Sequence, residues 1–387
     1  MVLHYIGYQE KTGYGISGSL LVGAFKRLGI TVYTTLVGSG DPDKGGQIVS
    51  GEMPADSSLE FDAVIVHTFP QLFPYWYAVE KVRSPKATIW GYTTWETDKV
   101  DAAWVPLMNT MDALFVPCEM NKAVFEKDGV LKPIFLLPHL SQFNGLAERP
   151  LSAAVQAVFD KFSGCYIFYY IGTWTERKVP WLVMQAFNEE FRPDEPVALI
   201  LKTGVQDWVR YQRTWKTFFR KGISYSADSF KRYNRGSKNK IIHLTKELSD
   251  EDIAGLHSLA DCFISLTRGE GWGVTSYEAA WFGKPVIIPG FGGMMDYLSP
   301  ATAYLVDYKL VPVVIEAYPD YQAGNQQWAD PSVADARKKI REVFSNQQEA
   351  RLRGELLKRD VQERFHADRI VQNCVRVLMT HNFNSII

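Results

Sequence analysis

The chain contains few cysteines for its length, only four among 387 residues. Cys118, Cys165, Cys262 and Cys374 are widely scattered, and the sequence has no C-x-x-C pair and no Cys/His spacing typical of a zinc site. A disulfide framework and a structural zinc centre are therefore disfavoured. We expect four free thiols in a reducing compartment.

The sequence also lacks a long, uninterrupted apolar run. Its most apolar stretch, residues 63–79, is broken by His67, Pro70, Gln71 and Pro74, which a membrane-spanning helix would not readily accommodate. The first residues, MVLHYIGYQEKTGYG, show none of the features of a signal peptide. We predict a cytoplasmic protein with no transmembrane segment, and peripheral association with a membrane stays open.

Neither positive nor negative charge is in large excess, since the formal net charge is -1 and the sequence pI is about 6.7. No global field therefore selects an anionic polymer or a membrane as partner. The local exception is residues 202–240, where Arg and Lys alternate with aromatic residues. Half of this pattern suits an amphipathic helix that covers a domain, and the other interpretation is a surface for nucleic acid or an anionic membrane.

Short apolar runs alternate with amphipathic helical patterns, which is typical of parallel strands joined by crossover helices. One series, from VLHYIG to PIFLLPHL, precedes a linker at residues 140–151, and a second runs from CYIFYYIG to KPVIIPG. A helix-rich tail follows at residues 335–379. The length also favours two domains. The predicted fold class is α/β with two similar halves.

The segment CFISLTRGEGWGVTSYEAAWFGKPVIIPG contains the strongest indication of a ligand site. Gly271 and Gly273 allow close approach of the backbone to a ligand, and a helix that begins near Val274 offers free N–H groups to a diphosphate. Glu270 and Glu278 can face the same site, because helical side chains lean towards the helix N-terminus. Carboxylates there suit hydroxyl donors of a sugar and a ribose.

The pattern Glu270-Gly271-Trp272-Gly273, followed by Glu278, resembles the E-x7-E signature of family 4 retaining glycosyltransferases, also called glycosyltransferase group 1. The resemblance implies that Glu270 contacts the donor hexose and Glu278 the nucleotide ribose. Residues 87–130, 302–313 and 328–331 also resemble this family, so the similarity spans most of the chain.

A second segment, FYYIGTWTERKVPWLVMQAF, resembles the family's phosphate clamp. Lys178 has the spacing from Gly172 that the family's lysine usually has, and Thr173 stands where many members have arginine. We assign Arg177 as the substitute, although a solvated basic pair before a helix is the alternative interpretation. Lys202, at the end of a predicted strand, is a further donor-binding candidate. Such a clamp would make a metal ion unnecessary.

Three other motifs have alternative functional interpretations. Asp41-Pro42-Asp43 and Asp250-Glu251-Asp252 match the D-x-D pattern of metal-dependent transferases, but a turn and a helix N-terminus explain them better, so we predict no metal site. Residues 13–18 form a G-x-G-x-x-G pattern, which leaves an NAD-dependent oxidoreductase as the alternative from another class. Under the resemblance, Gly13 and Gly15 form a loop that approaches the donor phosphates.

Acceptor-side candidates follow strands of the first half, where open α/β sheets place ligands. They are His67, Thr94 and Glu96. A core histidine and simple loop chemistry are the competing interpretations.

The resemblance implies the GT-B fold, with two Rossmann-like domains facing a cleft: an acceptor-side domain at 1–145, a donor-side domain at 152–364, and a C-terminal helix at 365–387 that crosses back to the first domain. It also implies a metal-independent, cofactor-free retaining hexosyltransferase that uses a UDP or GDP sugar. The expected acceptor is a cell-surface polysaccharide, another glycan or a lipid-linked glycan. The alternative acceptor is a hydroxymethylated DNA base bound through residues 202–240.

Overall fold

The computed structural model describes residues 1–9, 13–38, 40–54, 59–143, 151–209, 225–313 and 325–381. The chain divides into two compact units. Unit 1 comprises Met1–Asn144 with Glu363–Ile387, and unit 2 comprises Gly145–Gln362. These limits lie close to the predicted domain boundaries. Among the described residues, no helix has both the length and the apolar character needed to cross a membrane.

Unit 1 is built on a seven-stranded sheet in the order β3-β2-β1-β4-β5-β6-β7. All neighbouring strands are parallel except β2 and β3. The strands β1 to β7 are Val2–Tyr8, Thr31–Gly38, Gln47–Glu52, Ala63–His67, Thr88–Tyr92, Ala113–Val116 and Ile134–Leu136. The central strands β4, β5 and β6 are buried throughout, as expected when helices cover both faces of a parallel sheet.

The helices of unit 1 are α1 to α4 at Gly13–Arg27, Phe73–Arg83, Trp104–Met108 and Glu119–Lys127, with short 3-10 turns at Pro42–Lys44 and Pro70–Leu72. The last described helix of the chain, Ala367–Thr380, also belongs to this unit. It packs against α1 and buries Ile370, Val371, Cys374 and Leu378. The expected return of the C-terminal helix to the first domain is thus confirmed.

Unit 2 contains a six-stranded, fully parallel sheet in the order β10-β9-β8-β11-β12-β13. These strands, β8 to β13, are Tyr166–Ile171, Val197–Lys202, Ile241–Leu244, Cys262–Ile264, Val286–Pro289 and Tyr304–Val306. A separate antiparallel pair, β14 and β15, is formed by Tyr308–Pro312 and Gln327–Pro331. The described helices of this unit continue the numbering from α5 to α11: Ala153–Lys161, Pro180–Glu190, Ser226–Tyr233, Asp250–Leu259, Val274–Trp281, Val333–Ser345 and Gln347–Arg364, with a 3-10 turn at Gly293–Asp296.

The large sheets of units 1 and 2 share one topology. In each, the first strand of the unit lies near the centre of the sheet, and the strand order reverses beside it. This is the doubly wound order of Rossmann-like domains. The predicted α/β class with two similar halves is therefore confirmed.

The strand predictions made from the sequence were wrong at the two edge strands of the first sheet, β3 and β7. Strand β3 was not predicted, because all six of its residues are exposed and its sequence, QIVSGE, gives no apolar run. The run PIFLLPHL was predicted as one strand, but only Ile134–Leu136 pairs, since Pro133 and Pro138 flank it and lack the N–H that a ladder needs.

Candidate active site at the carboxyl ends of two central strands

The candidate site of unit 2 lies where the strand order of its sheet reverses. Strands β8 and β11 are neighbours in the sheet although two strands, β9 and β10, lie between them in sequence. The segment after β8 carries Arg177 and Lys178, and the segment after β11 carries Glu270. Because parallel strands end at the same edge, the topology brings these two segments together. Open α/β sheets bind ligands at this position.

Glu270 is the centre of the cluster. Its carboxylate is buried, with the residue 7 % exposed. Arg177 Nη1 donates to Glu270 Oε2 at 3.0 Å and to the carbonyl of Gly269 at 2.7 Å. Lys178 Nζ donates to Glu270 Oε1, which also accepts from Thr267 Oγ1 at 2.9 Å. A buried carboxylate is thus held by two cations and a hydroxyl group.

The protonation of Glu270 follows from these contacts. Burial raises the pKa of its carboxyl, but the charges of Lys178 and Arg177, with the hydrogen bonds from Lys178 and Thr267, more than offset burial and lower it to about 2. Glu270 is therefore ionised at neutral pH. It can accept hydrogen bonds from hydroxyl groups, and the two cations beside it can bind an anion.

The loop after Glu270 leads into helix α9, as predicted. Gly273 is the residue before the helix and has φ 76°, a conformation that side chains rarely adopt. Val274 is the first helical residue, so its backbone N–H has no acceptor within the helix. It follows Glu270 closely in sequence. Trp272 is buried, with Tyr277 and Tyr297 at ring-centroid distances of 5.4 Å and 5.2 Å. Gly271 is buried as well.

Glu278 is placed differently from Glu270. It is buried in α9, and its Oε2 lies 3.6 Å from His257 Nε2. The other ring nitrogen of His257 is 2.7 Å from the hydroxyl of Tyr169. Glu278 thus ends a row of buried polar groups that starts on strand β8, and its contact with a nucleotide ribose stays a prediction.

The remaining donor-side candidates lie at strand ends of the same sheet. Gly172 directly follows β8, and its N–H donates to the carbonyl of Lys202 at 3.0 Å. Lys202 ends β9, and its ammonium donates to the carbonyl of Thr203 at 2.9 Å. Burial lowers the pKa of this lysine. Both residues therefore lie at the carboxyl ends of the parallel strands, as Glu270 does.

In unit 1, Gly13 and Gly15 do not form the predicted loop. They make the first turn of helix α1, with Gly15 buried, and Tyr14 between them is 2.9 Å from the hydroxyl of Thr93. Glycines therefore serve here as the start of a helix that follows the central strand β1. A loop approaching phosphates was the wrong description of their local structure.

The acceptor-side candidates also belong to unit 1. His67 ends strand β4 but is only 1 % exposed, stacks on Tyr92 at 4.0 Å, and is 2.5 Å from the hydroxyl of Tyr5 through its Nδ1. Its ring is part of the core, which is the competing interpretation given above. Thr94 and Glu96 are half-buried after strand β5, where Thr94 Oγ1 donates to Asn121 Oδ1 at 3.0 Å.

Both D-x-D matches have the local structures expected of them. The carboxylate of Asp41 accepts from the N–H of Asp43 in a 3-10 turn, and Ser249 Oγ accepts from the N–H of Asp252 at the start of α8. Over the described part of the chain, no group of three or more His, Cys, Asp or Glu side chains is arranged to hold a metal ion.

Only part of the basic-aromatic segment can be compared with its prediction, because residues 210–224 lie outside the described ranges. Phe230 stacks on His243 at 4.8 Å, and Tyr233 stacks on Trp181 at 5.7 Å. These contacts fit a helix that covers unit 2. Phe230 is thereby less suited to stacking on bases, whereas Tyr233 stays 44 % exposed.

Three residues with direct roles in the cluster were not predicted. Thr267 bonds Glu270, Arg268 donates its N–H to the carbonyl of Arg177 at 2.8 Å, and His257 lies beside Glu278. Thr267 and Arg268 directly precede the glycine-bearing loop, so their position after strand β11 was an available signal. His257 lies in another helix, and no local pattern connects it to Glu278.

Comparison with known proteins agrees with this geometry. Residues 229–312 match the family model described as Glycosyl transferases group 1. This match includes Glu270, Glu278 and the intervening loop. No curated protein matches the chain.

Solved structures with the same fold extend over nearly the whole chain. HepE of Anabaena in complex with UDP and glucose has a TM-score of 0.64 at 10% identity, covering 98% of this chain and 100% of its own. Trehalose-6-phosphate synthase from E. coli, bound with UDP-2-fluoro glucose, has a TM-score of 0.68 at 11% identity and covers 100% of both chains. Sucrose-phosphate synthase from Thermosynechococcus elongatus has a TM-score of 0.68 at 14% identity, covering 98% of each.

These likenesses concern the fold, whereas the group 1 match concerns the sequence around the candidate site. The similarity of residues 229–312 to a transferase family favours the transferase prediction over the NAD-dependent alternative. The two Rossmann-like units have the GT-B fold of these solved structures, and residues 229–312 are similar in sequence to glycosyl transferases group 1.

Proposed function

We propose that the chain transfers a hexose from a UDP sugar to an acceptor hydroxyl group, with retention of configuration at the anomeric carbon. The observation that carries the proposal is the buried Glu270 carboxylate held by Arg177 and Lys178 at the reversal of strand order. Its position within the group 1 match supports a transferase site. UDP in the solved structures of HepE and trehalose-6-phosphate synthase favours UDP over GDP.

In this proposal the ionised carboxylate orients the sugar. Glu270 accepts hydrogen bonds from hexose hydroxyl groups, which a carboxylate with a pKa of about 2 can do at any physiological pH. Glu278 binds the ribose hydroxyl groups from the first turns of α9. The N–H groups at the start of that helix, after Gly273, face the diphosphate.

Arg177 and Lys178 stabilise the leaving group. The bond between the anomeric carbon and the diphosphate oxygen breaks, and negative charge develops on the departing UDP, which the two cations offset. The acceptor oxygen forms the new bond on the same face, and its proton passes to a phosphate oxygen of UDP. The reaction therefore needs neither a protein base nor a metal ion.

For the acceptor we propose a glycan or a lipid-linked glycan, as in the synthesis of a cell-surface polysaccharide. The alternative of a modified DNA base has less support, because Phe230 packs within unit 2. Thr94 and Glu96 remain the proposed acceptor-side residues of unit 1. Any effect of His67 on the acceptor would be indirect, because its side chain is buried in the core of unit 1.

The test is UDP release from a panel of UDP sugars, first without an acceptor and then with glycan acceptors, in the presence of EDTA. The wild-type chain should release UDP, and Glu270→Gln and Lys178→Met should each reduce the rate by about 100–1,000-fold. Arg337→Gln is the matched control, because Arg337 pairs with Glu189 and Glu190 on the outer helices of unit 2.

Normal turnover in either site variant would overturn the site assignment. Loss of turnover in EDTA, restored by a divalent cation, would overturn metal independence.

A further inference from the structure

The segment that carries the two cations is also bound through its backbone. Arg177 donates towards Glu270 with its side chain, while its backbone carbonyl accepts from the N–H of Arg268 at 2.8 Å and from Thr267 Oγ1 at 3.3 Å. The backbone and the side chain of one residue are thus fixed by neighbouring residues of a single loop. Placement of the cations depends on where residues 267–270 lie.

The side chain of Arg268 adds a second attachment. Its Nη1 donates to the backbone carbonyl of Glu176 at 3.4 Å and to the carboxylate of Glu176 at 3.3 Å. Glu176 directly precedes Arg177. The side chain of Arg268 is 20 % exposed and that of Glu176 is 17 % exposed, so solvent screens this pair less than an ordinary surface pair.

Arg268 is itself held by the antiparallel pair β14–β15. Its Nη2 donates to Asp330 Oδ1 at 3.3 Å, its carbonyl accepts from the N–H of Ala329 at 2.8 Å, and its guanidinium lies 5.2 Å from the ring centroid of the buried Trp328. Three contacts of different kinds therefore fix one side chain and its backbone. A guanidinium fork suits this arrangement because it presents several donors in one plane.

The residue before helix α6, Val179, belongs to the same segment and has an unfavourable backbone conformation. Val179 has φ 35° and ψ 53°, and its side chain is fully buried. A β-branched residue in the left-handed region is strained and persists only where its surroundings hold it. Arg268 contacts Glu176 and Arg177 of this same segment.

We propose that Arg268, held by the β14–β15 pair, is a positioning residue that keeps Arg177 and Lys178 in place for the diphosphate of the donor. This rests on the proposed function. Arg268 does not itself touch the substrate, and its effect on the reaction passes through the 173–179 segment. The β14–β15 pair thus acts as a support for the donor site, although neither strand is part of the parallel sheet.

The functional test is a double-mutant cycle on the kcat/KM of UDP-glucose consumption. Arg268→Met should lower kcat/KM by about 10–100-fold, because a shift of about 1 Å in a catalytic group has that effect. In a Lys178→Met background the same substitution should lower it by a clearly smaller factor than in the wild type, since one of the two groups that it positions is already gone. Equal effects in both backgrounds would overturn the proposal.

Rescue by charge distinguishes positioning from general packing. Arg268→Lys keeps the charge but loses the fork, so it should recover part of the loss, and Asp330→Asn should give an intermediate loss. The control Arg337→Gln should leave kcat/KM unchanged. If Arg268→Met does not fold, Asp330→Asn takes its place in the cycle.

Hydrogen exchange tests the positioning even if UDP-glucose is not a substrate. In Arg268→Met the amides of residues 175–179 should exchange at least about 10-fold faster than in the wild type, with strands β8 and β11 unchanged. Unchanged exchange in this segment would overturn the inference whatever the activity. Failure of the wild type to consume any UDP sugar would instead overturn the proposed function.

Discussion

Acid should weaken unit 1 through a buried histidine of its core. His139 is 6 % exposed and bonds Ser17 Oγ through Nδ1, and burial lowers its pKa from 6.5 to about 4. His67, with its ring centroid 6.4 Å away, has a lowered pKa for the same reason, with a smaller contribution from His139. The folded state therefore binds fewer protons than the unfolded chain between pH 6.5 and 4.

The sign and size follow from proton linkage. Since the unfolded chain binds the extra proton, the free energy of unfolding is highest above pH 6.5 and falls as the pH drops towards 4. For His139 alone the loss between pH 7.5 and pH 5 is about 2 kcal/mol. His67 adds to this loss in the wild type.

The perturbation is His139→Asn, which preserves a group able to bond Ser17 but cannot titrate in this range. The assay is hydrogen exchange of the buried amides in strands β1 and β4 at pH 7.5 and pH 5, corrected for the intrinsic pH dependence of exchange. The fall in opening free energy should be about 2 kcal/mol smaller in the variant than in the wild type. An equal fall in both proteins would refute the reasoning.

Three further predictions concern the backbone of unit 2. Val179→Gly should exceed Val179→Ala in free energy of unfolding by about 1 kcal/mol, measured with urea, because only glycine relieves the positive φ; the reverse order would contradict strain at this residue. Gly273→Ala should weaken UDP binding in calorimetry by at least about 10-fold, because the new Cβ would lie 2.7 Å from Met294 Cγ; unchanged affinity would contradict it. Gly354→Ala should lower Tm by several degrees, because its Cβ would lie 2.2 Å from the carbonyl oxygen of Gly283; an unchanged Tm would contradict the close helix approach.

Much of the fold was predictable because its strands are buried on both faces. Strands such as Ala63–His67 and Val286–Pro289 read as continuous apolar runs. A helix N-terminus was predicted at Asp250-Glu251-Asp252, and helix Asp250–Leu259 begins there after its Ser249 cap. Strand Gln47–Glu52 could not be predicted in this way. An exposed edge strand has little hydrophobic burial, so its sequence carries little pattern.

The candidate site was predictable to the extent that its groups lie close in sequence. Glu270, Gly273 and Val274 share one strand–loop–helix unit, so spacing alone placed them together. Arg177 was assigned from a second segment, and the structure places its guanidinium 3.0 Å from Glu270. That contact depends on β8 and β11 being neighbours, which the sheet topology sets.

What the sequence did not indicate are contacts made between distant elements. Arg268 joins Glu176 to Asp330 across 92 and 62 residues, and His257 reaches Glu278 from another helix. His67 ends a strand where ligands often bind, yet it packs into the core. Tertiary packing decides between such alternatives, and one sequence contains no direct record of it.

The central claim is that Arg177 and Lys178, held at Glu270, bind the donor diphosphate. The most direct measurement is calorimetric affinity for UDP and for UMP in the wild type and in Lys178→Met. A charge-assisted contact with the second phosphate is worth about 1.5–3 kcal/mol, so the wild type should prefer UDP by at least about 10-fold. We predict that Lys178→Met loses most of this preference while its affinity for UMP changes little, and a variant that still prefers UDP to the same degree would contradict the claim.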